Sequence, residues 1–278
     1  MFSRLLAIAD ERGEEGSYAF YRLHLCELAL RAGVWEEAAR LLDDWAASAE
    51  REFLLPPMYE RCRALLSVGR GDPDVAEEWA AKAITRADAI GHQWERLEAL
   101  RARGTAGLLA HQTGRAVESL RAVWAHTCEQ GVDEPGVFPV APELVEALVE
   151  LGNLDEARAV SARLRQLSQQ QEHPWGLVTG KRCDGLARLA APRYDEDAAT
   201  ELAGAAAGYG ELGLRFDRAR ALLSLGRAQR RLRKWKAARG SLDQAALAFE
   251  RLGSTGGPRR PTPSWRAWAA AVASRRAG

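Results

Sequence analysis

The chain has 278 residues, of which 47% are hydrophobic and 28% are charged, which is the composition of a folded protein with enough apolar residues for a core. Its 39 Lys and Arg residues balance 38 Asp and Glu residues, so the formal net charge of +1 excludes a strong overall field that would attract nucleic acid or an anionic membrane. No run of 18 apolar residues occurs and the first ten residues lack a secretory signal, so we expect a cytoplasmic protein with no membrane span.

The first predicted element is a single helix over residues 2–12, which carries apolar residues at helical spacing and ends at Gly13. No helix precedes it that could serve as its partner. We therefore interpret residues 1–13 as the orphan helix of a partial repeat, and we expect the chain to begin in the middle of a repeat.

Two series of residues that end helices then recur with a period near 40. The series that ends the first helix of each pair is Gly33, Gly71, Gly114 and Gly152, continued by Arg193 and Arg233. The series that ends the second helix is Gly91, Gly131, Gly213 and Gly253, with Gln171 or Glu172 at the missing position. Glycine favours the left-handed conformation that follows a helix. Repeats that each form one helix pair are typical of solenoid proteins.

We predict helix pairs near residues 17–50, 56–90, 93–130, 138–171, 174–212 and 214–252. A small residue just inside each second helix allows the two helices to approach closely, and these positions are Ala38, Ala76, Val117, Ala157, Ala198 and Ala237. The irregular stretch 131–142 is interpreted as a kink between two sub-arrays. The predicted fold class is all-α, a right-handed α-solenoid of about six tetratricopeptide-like helix-turn-helix repeats over residues 1–253. Residues 254–278 predict a flexible basic tail.

No pattern in the sequence indicates catalysis. The nearest approach to a phosphate-binding loop, residues 176–182, is one residue short and lacks the required hydroxyl. The five histidines show no metal-binding spacing, and the four cysteines are interpreted as buried thiols: Cys26, Cys62, Cys128 and Cys183. We therefore expect no catalytic residue, no cofactor and no metal site. An enzyme with a site between helices remains an alternative.

Two features suggest where a partner or ligand could bind. A basic run over residues 215–239 is interpreted as a solvated face or a docking surface for a partner, and we expect no direct contact with nucleic acid. Aromatic and basic residues of the first helices are candidates for a ligand or peptide groove on the concave side. They are Tyr18, Arg22, Tyr59, Arg63, Trp94, Arg101 and Trp175, and ordinary helix packing is the alternative interpretation.

The stretch 211–253, which begins Glu-Leu-Gly-Leu-Arg-Phe-Asp-Arg-Ala-Arg-Ala-Leu-Leu-Ser-Leu-Gly, resembles the end of the sensor region in large ATP-binding transcriptional regulators of the LuxR type, related to the maltose regulon activator. By pattern, the resemblance covers about residues 1–253. It implies repeats that bind an inducer or a protein partner between an ATPase and a helix-turn-helix module. The sequence contains neither of these modules, so ATP hydrolysis and promoter binding are not carried over.

We therefore expect a non-catalytic sensor domain that binds a small-molecule effector or a protein partner and lacks the ATPase and DNA-binding domains. A stand-alone adaptor that binds peptides in its concave groove is the alternative. Residues 254–278 differ from the Trp- and Ala-rich helix with which the resembled family continues, and we expect them to be a frameshifted tail.

Overall fold

The computed structural model describes residues 2–13, 15–47, 57–191 and 196–254, with the side chains of residues 2, 3, 6, 10 and 15–19 outside the described part. In these ranges the chain forms thirteen α-helices and no strand. They are α1 (Phe2–Arg12), α2 (Glu15–Ala32), α3 (Trp35–Ala47), α4 (Pro57–Arg70), α5 (Pro73–Ala89), α6 (Gln93–Leu109), α7 (Thr113–Glu129), α8 (Ala141–Leu151), α9 (Leu154–Gln170), α10 (Pro174–Ala190), α11 (Asp197–Glu211), α12 (Arg215–Arg231) and α13 (Trp235–Arg251). None of these helices is both long and apolar enough to cross a bilayer.

The predicted helix pairs are confirmed as α2–α3 through α12–α13, and α1 precedes them. The predicted left-handed positions are confirmed at eight glycines that end helices, with φ between 63° and 80°: Gly13, Gly33, Gly71, Gly91, Gly131, Gly152, Gly213 and Gly253. Glu172 and Arg233 also have positive φ, as expected at their positions. The prediction for Gly114 is wrong, because that residue lies inside α7 and His111 takes the left-handed position with a φ of 56°. Arg193 lies outside the described residues.

A buried alanine stands near the start of the second helix of each pair and packs against the first helix. Where the left-handed residue between the two helices is described, this alanine follows it by five residues. The six positions are Ala38, Ala76, Ala116, Ala157, Ala198 and Ala238, each at most 1% exposed. The predictions of Val117 and Ala237 were therefore wrong by one residue in each case, and Ala237 is exposed. The contacts explain the need for small residues. A Cβ atom on Gly104 of α6 would lie 3.3 Å from the carbonyl oxygen of Ala116. The helices of a pair therefore touch at backbone distance.

The first helices of the six pairs form an inner layer that closes on itself. Each of α2, α4, α6, α8, α10 and α12 contacts the next in this order, and α12 also contacts α2. The second helix of each pair packs on the outside of its own first helix. This arrangement is consistent with an α-solenoid that curves until its first and last pairs meet.

Side chains of the first and last helix pairs, with α4, build the contact that closes the ring. The indole ring of Trp35 lies 5.3 Å from the ring of Phe216, measured between centroids. Leu252, which follows α13, belongs to the same apolar cluster as the core of α2, α3 and α4. The hydroxyl of Ser254 donates a hydrogen bond to the carbonyl oxygen of Gly69, 185 residues earlier. The ring is thus held by both apolar packing and a hydrogen bond.

The prediction that all four cysteines are buried is wrong for one of them. Cys26, Cys62 and Cys183 are buried, whereas Cys128 is exposed in the last turn of α7. The Sγ of Cys26 lies 3.7 Å from the carbonyl oxygen of Ala38, where the two helices of the first pair touch. This thiol therefore fills one of the close helix contacts.

Candidate functional site

The closed ring of inner helices surrounds a cavity of about 640 Å³. Its wall is formed by the C-terminal halves of α2, α4 and α6, the N-terminal ends of α8, α10 and α12, and residues of the segments 134–139 and 212–214. A volume of this size lies within the range of about 300–1,000 Å³ that is typical of sites for small molecules. The cavity is therefore the candidate functional site.

One side of the cavity wall is aromatic and apolar. Trp35, Trp175 and Phe216 line it together with Leu65 of α4. Trp35 reaches this position because Gly69 of α4 carries no side chain. A Cβ atom there would lie only 2.6 Å from the indole ring. This close approach makes Gly69 a requirement of the aromatic wall.

Charged side chains from all six inner helices form an ionic belt around the inside of the ring. The belt consists of Glu27, Arg61, Glu95, Glu98, Arg101, Glu143, Glu146, Arg182, Asp217 and Arg220. Burial of so many charges is costly unless each one is paired. The pairing of each member therefore shows which groups remain available to a ligand.

In the first half of the belt, which is formed by α2, α4 and α6, both guanidiniums donate hydrogen bonds to carboxylates. Arg61 is 2% exposed and donates to Glu95 at 3.0 Å, to Glu27 at 3.3 Å and to Glu98 at 3.4 Å. Arg101 lines the cavity and donates to Glu98 at 2.8 Å. Burial acts to raise the pKa of the Glu27 carboxyl, but the nearby Arg61 and Arg31 guanidiniums outweigh burial and hold that pKa below its usual value.

The second half of the belt is centred on Glu146, which accepts hydrogen bonds from both Arg182 and Arg220. Arg220 donates as well to Glu143, so this one residue of α12 ties two carboxylates of α8. Burial acts to raise the pKa of the Glu146 carboxyl, yet the Arg220 and Arg182 guanidiniums hold it below its usual value. Glu146 is therefore an ionised carboxylate that stabilises this side of the ring.

Asp217 is the exception within the belt. It stands in the first turn of α12 and lines the cavity, but among the described residues its carboxyl has no hydrogen bond and no ion pair. Burial raises the pKa of this carboxyl, and the adjacent Glu143 raises it further, against the opposing effects of Arg220, Arg182 and Arg101. The cavity thus contains one acidic group that is left for a ligand.

Some N–H groups of the belt also lack partners, but they are closed off from the cavity. Nε and Nη1 of Arg182 and Nε of Arg220 are buried without a hydrogen-bond partner in the described part of the chain. These atoms have almost no accessible surface, so a ligand in the cavity cannot reach them. Their unsatisfied donors destabilise the fold rather than form a binding site.

His173 lies at the rim of the cavity and has both ring nitrogens in use. Its Nδ1 accepts a hydrogen bond from the backbone N–H of Gly176 at 3.0 Å, which caps the N-terminus of α10. Its Nε2 lies 2.8 Å from a carboxylate oxygen of Glu134. The tautomer with a proton on Nε2 satisfies both contacts, and no nitrogen is left to act as a general base.

The structure brings two of the seven groove candidates into the cavity, namely Arg101 and Trp175. Tyr59 is buried instead, with its ring stacked 4.4 Å from Trp45, and it accepts a hydrogen bond from Arg63. Arg63 also bonds to Asp43 on α3. Both residues therefore take part in packing between helices, which is the alternative interpretation of these candidates.

Two further groove candidates, Trp94 and Arg22, do not line the cavity. Trp94 is 45% exposed, with its ring 4.6 Å from that of Phe138. Arg22 is half-buried on α2 and does not line the cavity. The side chain of Tyr18 lies outside the described residues.

Sequence reasoning missed the acidic and basic residues of α8 and α12. The interpretation of residues 215–239 as a solvated face is wrong at Arg220, which is 4% exposed because its guanidinium is bound by Glu143 and Glu146. One signal was present, since Glu143 and Glu146 are flanked by the buried Leu144, Val145 and Leu148. Charges within an apolar stripe indicate buried ion pairs.

Comparison with known proteins identifies no family for this chain. No family model matches it, and no curated protein matches it. The crystal structure of BtubC (BKLC) from P. vanneervenii superposes on 93% of this chain and 95% of its own, with a TM-score of 0.48 and 17% sequence identity.

Within the described residues, no three His, Cys, Asp or Glu side chains are grouped to hold a metal ion.

Proposed function

We propose that this chain is a non-catalytic sensor module that binds a small-molecule effector in its central cavity. The observation that carries the proposal is the closed ring of inner helices around a cavity of about 640 Å³ with aromatic and charged walls. Enclosed, largely apolar pockets with a few polar groups are the usual form of small-molecule sites. The contacts between the first and last helix pairs support a cavity rather than the open concave groove that a stand-alone peptide-binding adaptor would use.

The repeat type belongs to the same proposal. We propose that the helix pairs are tetratricopeptide-like and wind in a right-handed superhelix. The six buried alanines, one in each second helix, support this interpretation because they repeat a close contact between helices at a period near 40 residues. A single helix pair cannot bury its apolar face alone, and stacked pairs form one continuous core in repeat proteins.

The resemblance to sensor regions of LuxR-type regulators supplies the biological setting of the proposal. The stretch 211–253 that carries the resemblance forms α12 and α13, the pair that contacts α2 and α3. An effector in the cavity would touch Trp35 and Phe216 and so stabilise the contact between these two pairs. A ligand that favours the closed ring shifts the equilibrium towards it, and this shift would be the signal.

An enzyme is the second candidate, because Asp217 has a raised pKa and lines the cavity beside Glu143. Such a carboxyl can serve as a general acid or base. We favour a binding role because the potential catalytic partners are already engaged, Glu143 by Arg220 and His173 by Glu134 and Gly176. Chemical conversion of a bound ligand, lost in Asp217→Asn, would favour the enzyme instead.

The proposal is tested by thermal-shift screening of a metabolite library against the wild-type chain and two matched variants. Leu212 and Leu177 are each 39% exposed, but only Leu212 lines the cavity. Leu212→Trp should therefore obstruct the cavity, whereas Leu177→Trp should not. A ligand present at a hundred times its Kd stabilises the native state by about 2.7 kcal/mol.

We expect at least one compound to raise the melting temperature of the wild type and of Leu177→Trp, with a much smaller effect on Leu212→Trp. Equal stabilisation of both variants would place the ligand elsewhere and contradict the proposal. The proposal would also be wrong if no small molecule stabilises the wild type, while peptides do.

A further inference from the structure

We propose that the cavity binds an organic cation, a protonated amine or a quaternary ammonium group on an apolar body, with Asp217 as its ionic partner. This inference rests on the proposed function and adds the charge and the chemical class of the ligand. The evidence for it is that the buried guanidiniums of the cavity wall are paired with carboxylates, whereas the carboxyl group of Asp217 is not paired.

The two buried guanidiniums that line the cavity are already bound to carboxylates. Arg101 is held by Glu98, and Arg220 is held by Glu143 and Glu146. An anionic ligand would have to displace one of these carboxylates from a buried ion pair, which leaves that carboxylate without a partner. The inner wall is therefore poorly suited to an anion.

Carboxyl groups outnumber guanidinium groups in the ionic belt. The belt contains six carboxyl groups, on Glu27, Glu95, Glu98, Glu143, Glu146 and Asp217, against four guanidiniums on Arg61, Arg101, Arg182 and Arg220. At the rim, Arg31 pairs with Glu27 at 3.5 Å and Glu134 pairs with His173 at 2.8 Å. With Arg31 and Glu134, and with Arg227 of α12, whose guanidinium lowers the pKa of Glu146, the carboxyl groups outnumber the guanidiniums by seven to six. A bound cation would balance this excess.

Asp217 is the point at which this excess is accessible. Its carboxyl lines the cavity without a hydrogen bond or ion pair among the described residues. A carboxylate that is largely removed from water and unpaired is unfavourable, and a cation that binds it gains an ion pair, with a charge-assisted hydrogen bond as well where the cation is a protonated amine. Its place in the first turn of α12 also balances the positive end of that helix, so no anion is needed there.

The aromatic wall suits the remainder of such a ligand. Trp35, Trp175 and Phe216 provide apolar ring surface in the same cavity as Asp217. Tryptophan is the side chain whose ring face attracts cations most strongly. An ammonium group on an aromatic or aliphatic body therefore matches both parts of the wall.

The test uses sets of compounds that share one skeleton and differ only in charge. Tryptamine, tryptophol and indole-3-acetate form one set, and further sets pair primary and quaternary ammonium compounds with alcohols and carboxylates of the same skeleton. Binding is measured by isothermal titration to the whole chain and to Asp217→Asn. Asp155→Asn is the control, since Asp155 is also an acid in the first turn of a helix but is fully exposed.

We expect ammonium compounds to bind the wild type and Asp155→Asn. The affinity of protonated amines should fall about tenfold to hundredfold in Asp217→Asn, the change that loss of one charge-assisted hydrogen bond gives, and the affinity of quaternary compounds should fall through loss of the ion pair. The alcohol and carboxylate analogues should bind more weakly than the ammonium compounds. Their binding should not depend on Asp217.

Failure of this inference is distinguishable from failure of the proposed function. If carboxylates or alcohols bind more tightly than their ammonium analogues, and Leu212→Trp abolishes that binding, the cavity is a small-molecule site but not a cation site. Unchanged ammonium affinity in Asp217→Asn also overturns the inference. If no ammonium compound binds the wild type, the inference is wrong whatever the library screen finds.

Discussion

The indole ring of Trp35 packs edge-on against the phenyl ring of Phe216, with 5.3 Å between their centroids and 63° between their planes. Trp35 begins the second helix of the first pair, and Phe216 lies in the first helix of the last pair. Both residues also line the cavity. The contact that closes the ring is therefore part of the wall that a ligand would touch, so closure and binding are expected to depend on each other.

Gly69→Ala should weaken this contact, because the new Cβ would lie 2.6 Å from the Trp35 ring and force it to move. We expect the free energy of unfolding to fall by about 1–3 kcal/mol, as overpacking of a core does. Gly240→Ala in α13 is the matched control, since its Cβ meets nothing within 4 Å. It should raise stability by about 0.5–1 kcal/mol. Urea unfolding of both variants measures the difference, and a loss of equal size in both would contradict the account.

Glu146→Gln should be strongly destabilising, because it leaves the buried Arg182 and Arg220 guanidiniums with one shared partner fewer. Breaking a buried ion pair costs about 3–5 kcal/mol. The pKa of Glu146 is lowered in the folded chain, so its contribution is present above the unfolded pKa and is lost as the pH falls through the folded pKa. Wild type and variant should therefore converge in acid.

The control for this prediction is Glu156→Gln, which removes an exposed ion pair with Arg121. Exposed pairs contribute only about 0–1 kcal/mol. Chemical unfolding across a pH series measures both variants, and similar losses for Glu146→Gln and Glu156→Gln would show that the ionic belt does not hold the ring.

Asp217→Asn should have the opposite effect on stability. The pKa of Asp217 is raised in the folded chain, so ionisation of its carboxyl destabilises the fold as the pH rises from the unfolded pKa through the folded pKa. The variant lacks this penalty and should become more stable than the wild type with increasing pH, whereas the two should match below about pH 3.9. Asp155→Asn, in which an exposed acid of a helix N-terminus is changed, should show no such gain. A wild type that is more stable than Asp217→Asn at neutral pH would contradict the assignment of an unpaired carboxyl.

The helix pairs could be predicted from the sequence because helix ends leave local signals. Gly33, Gly71 and Gly152 take the left-handed conformation that only glycine adopts without strain, so their spacing gave the repeat. His111 takes the same conformation without any such signal, so the sequence pattern points to the nearby Gly114 instead.

The cavity could not be predicted, because it depends on how far the array of helix pairs curves. The meeting of Trp35 with Phe216, and of Ser254 with Gly69, follows from small rotations between successive pairs that no local pattern records. Arg101 and Trp175 were found because first helices face the inside of such arrays. Asp217 was not singled out, since one acid within a basic segment resembles an ordinary residue of a helix N-terminus.

The most direct test of the account asks whether the first and last helix pairs meet around the cavity. A Cβ atom built on Gly33 would lie 3.2 Å from the Cβ of Arg215, slightly closer than the roughly 3.5–4.5 Å of disulfides. The measurement is the formation of a disulfide in Gly33→Cys/Arg215→Cys under mild oxidation, with the exposed Cys128 replaced by serine. Gly33→Cys/Arg158→Cys is the control, because it carries the same backbone strain at Gly33, whose φ is 73°, while Arg158 is exposed on α9. The account predicts an intramolecular disulfide in the first pair and none in the control, whereas two free thiols in the folded first variant would contradict the closed ring.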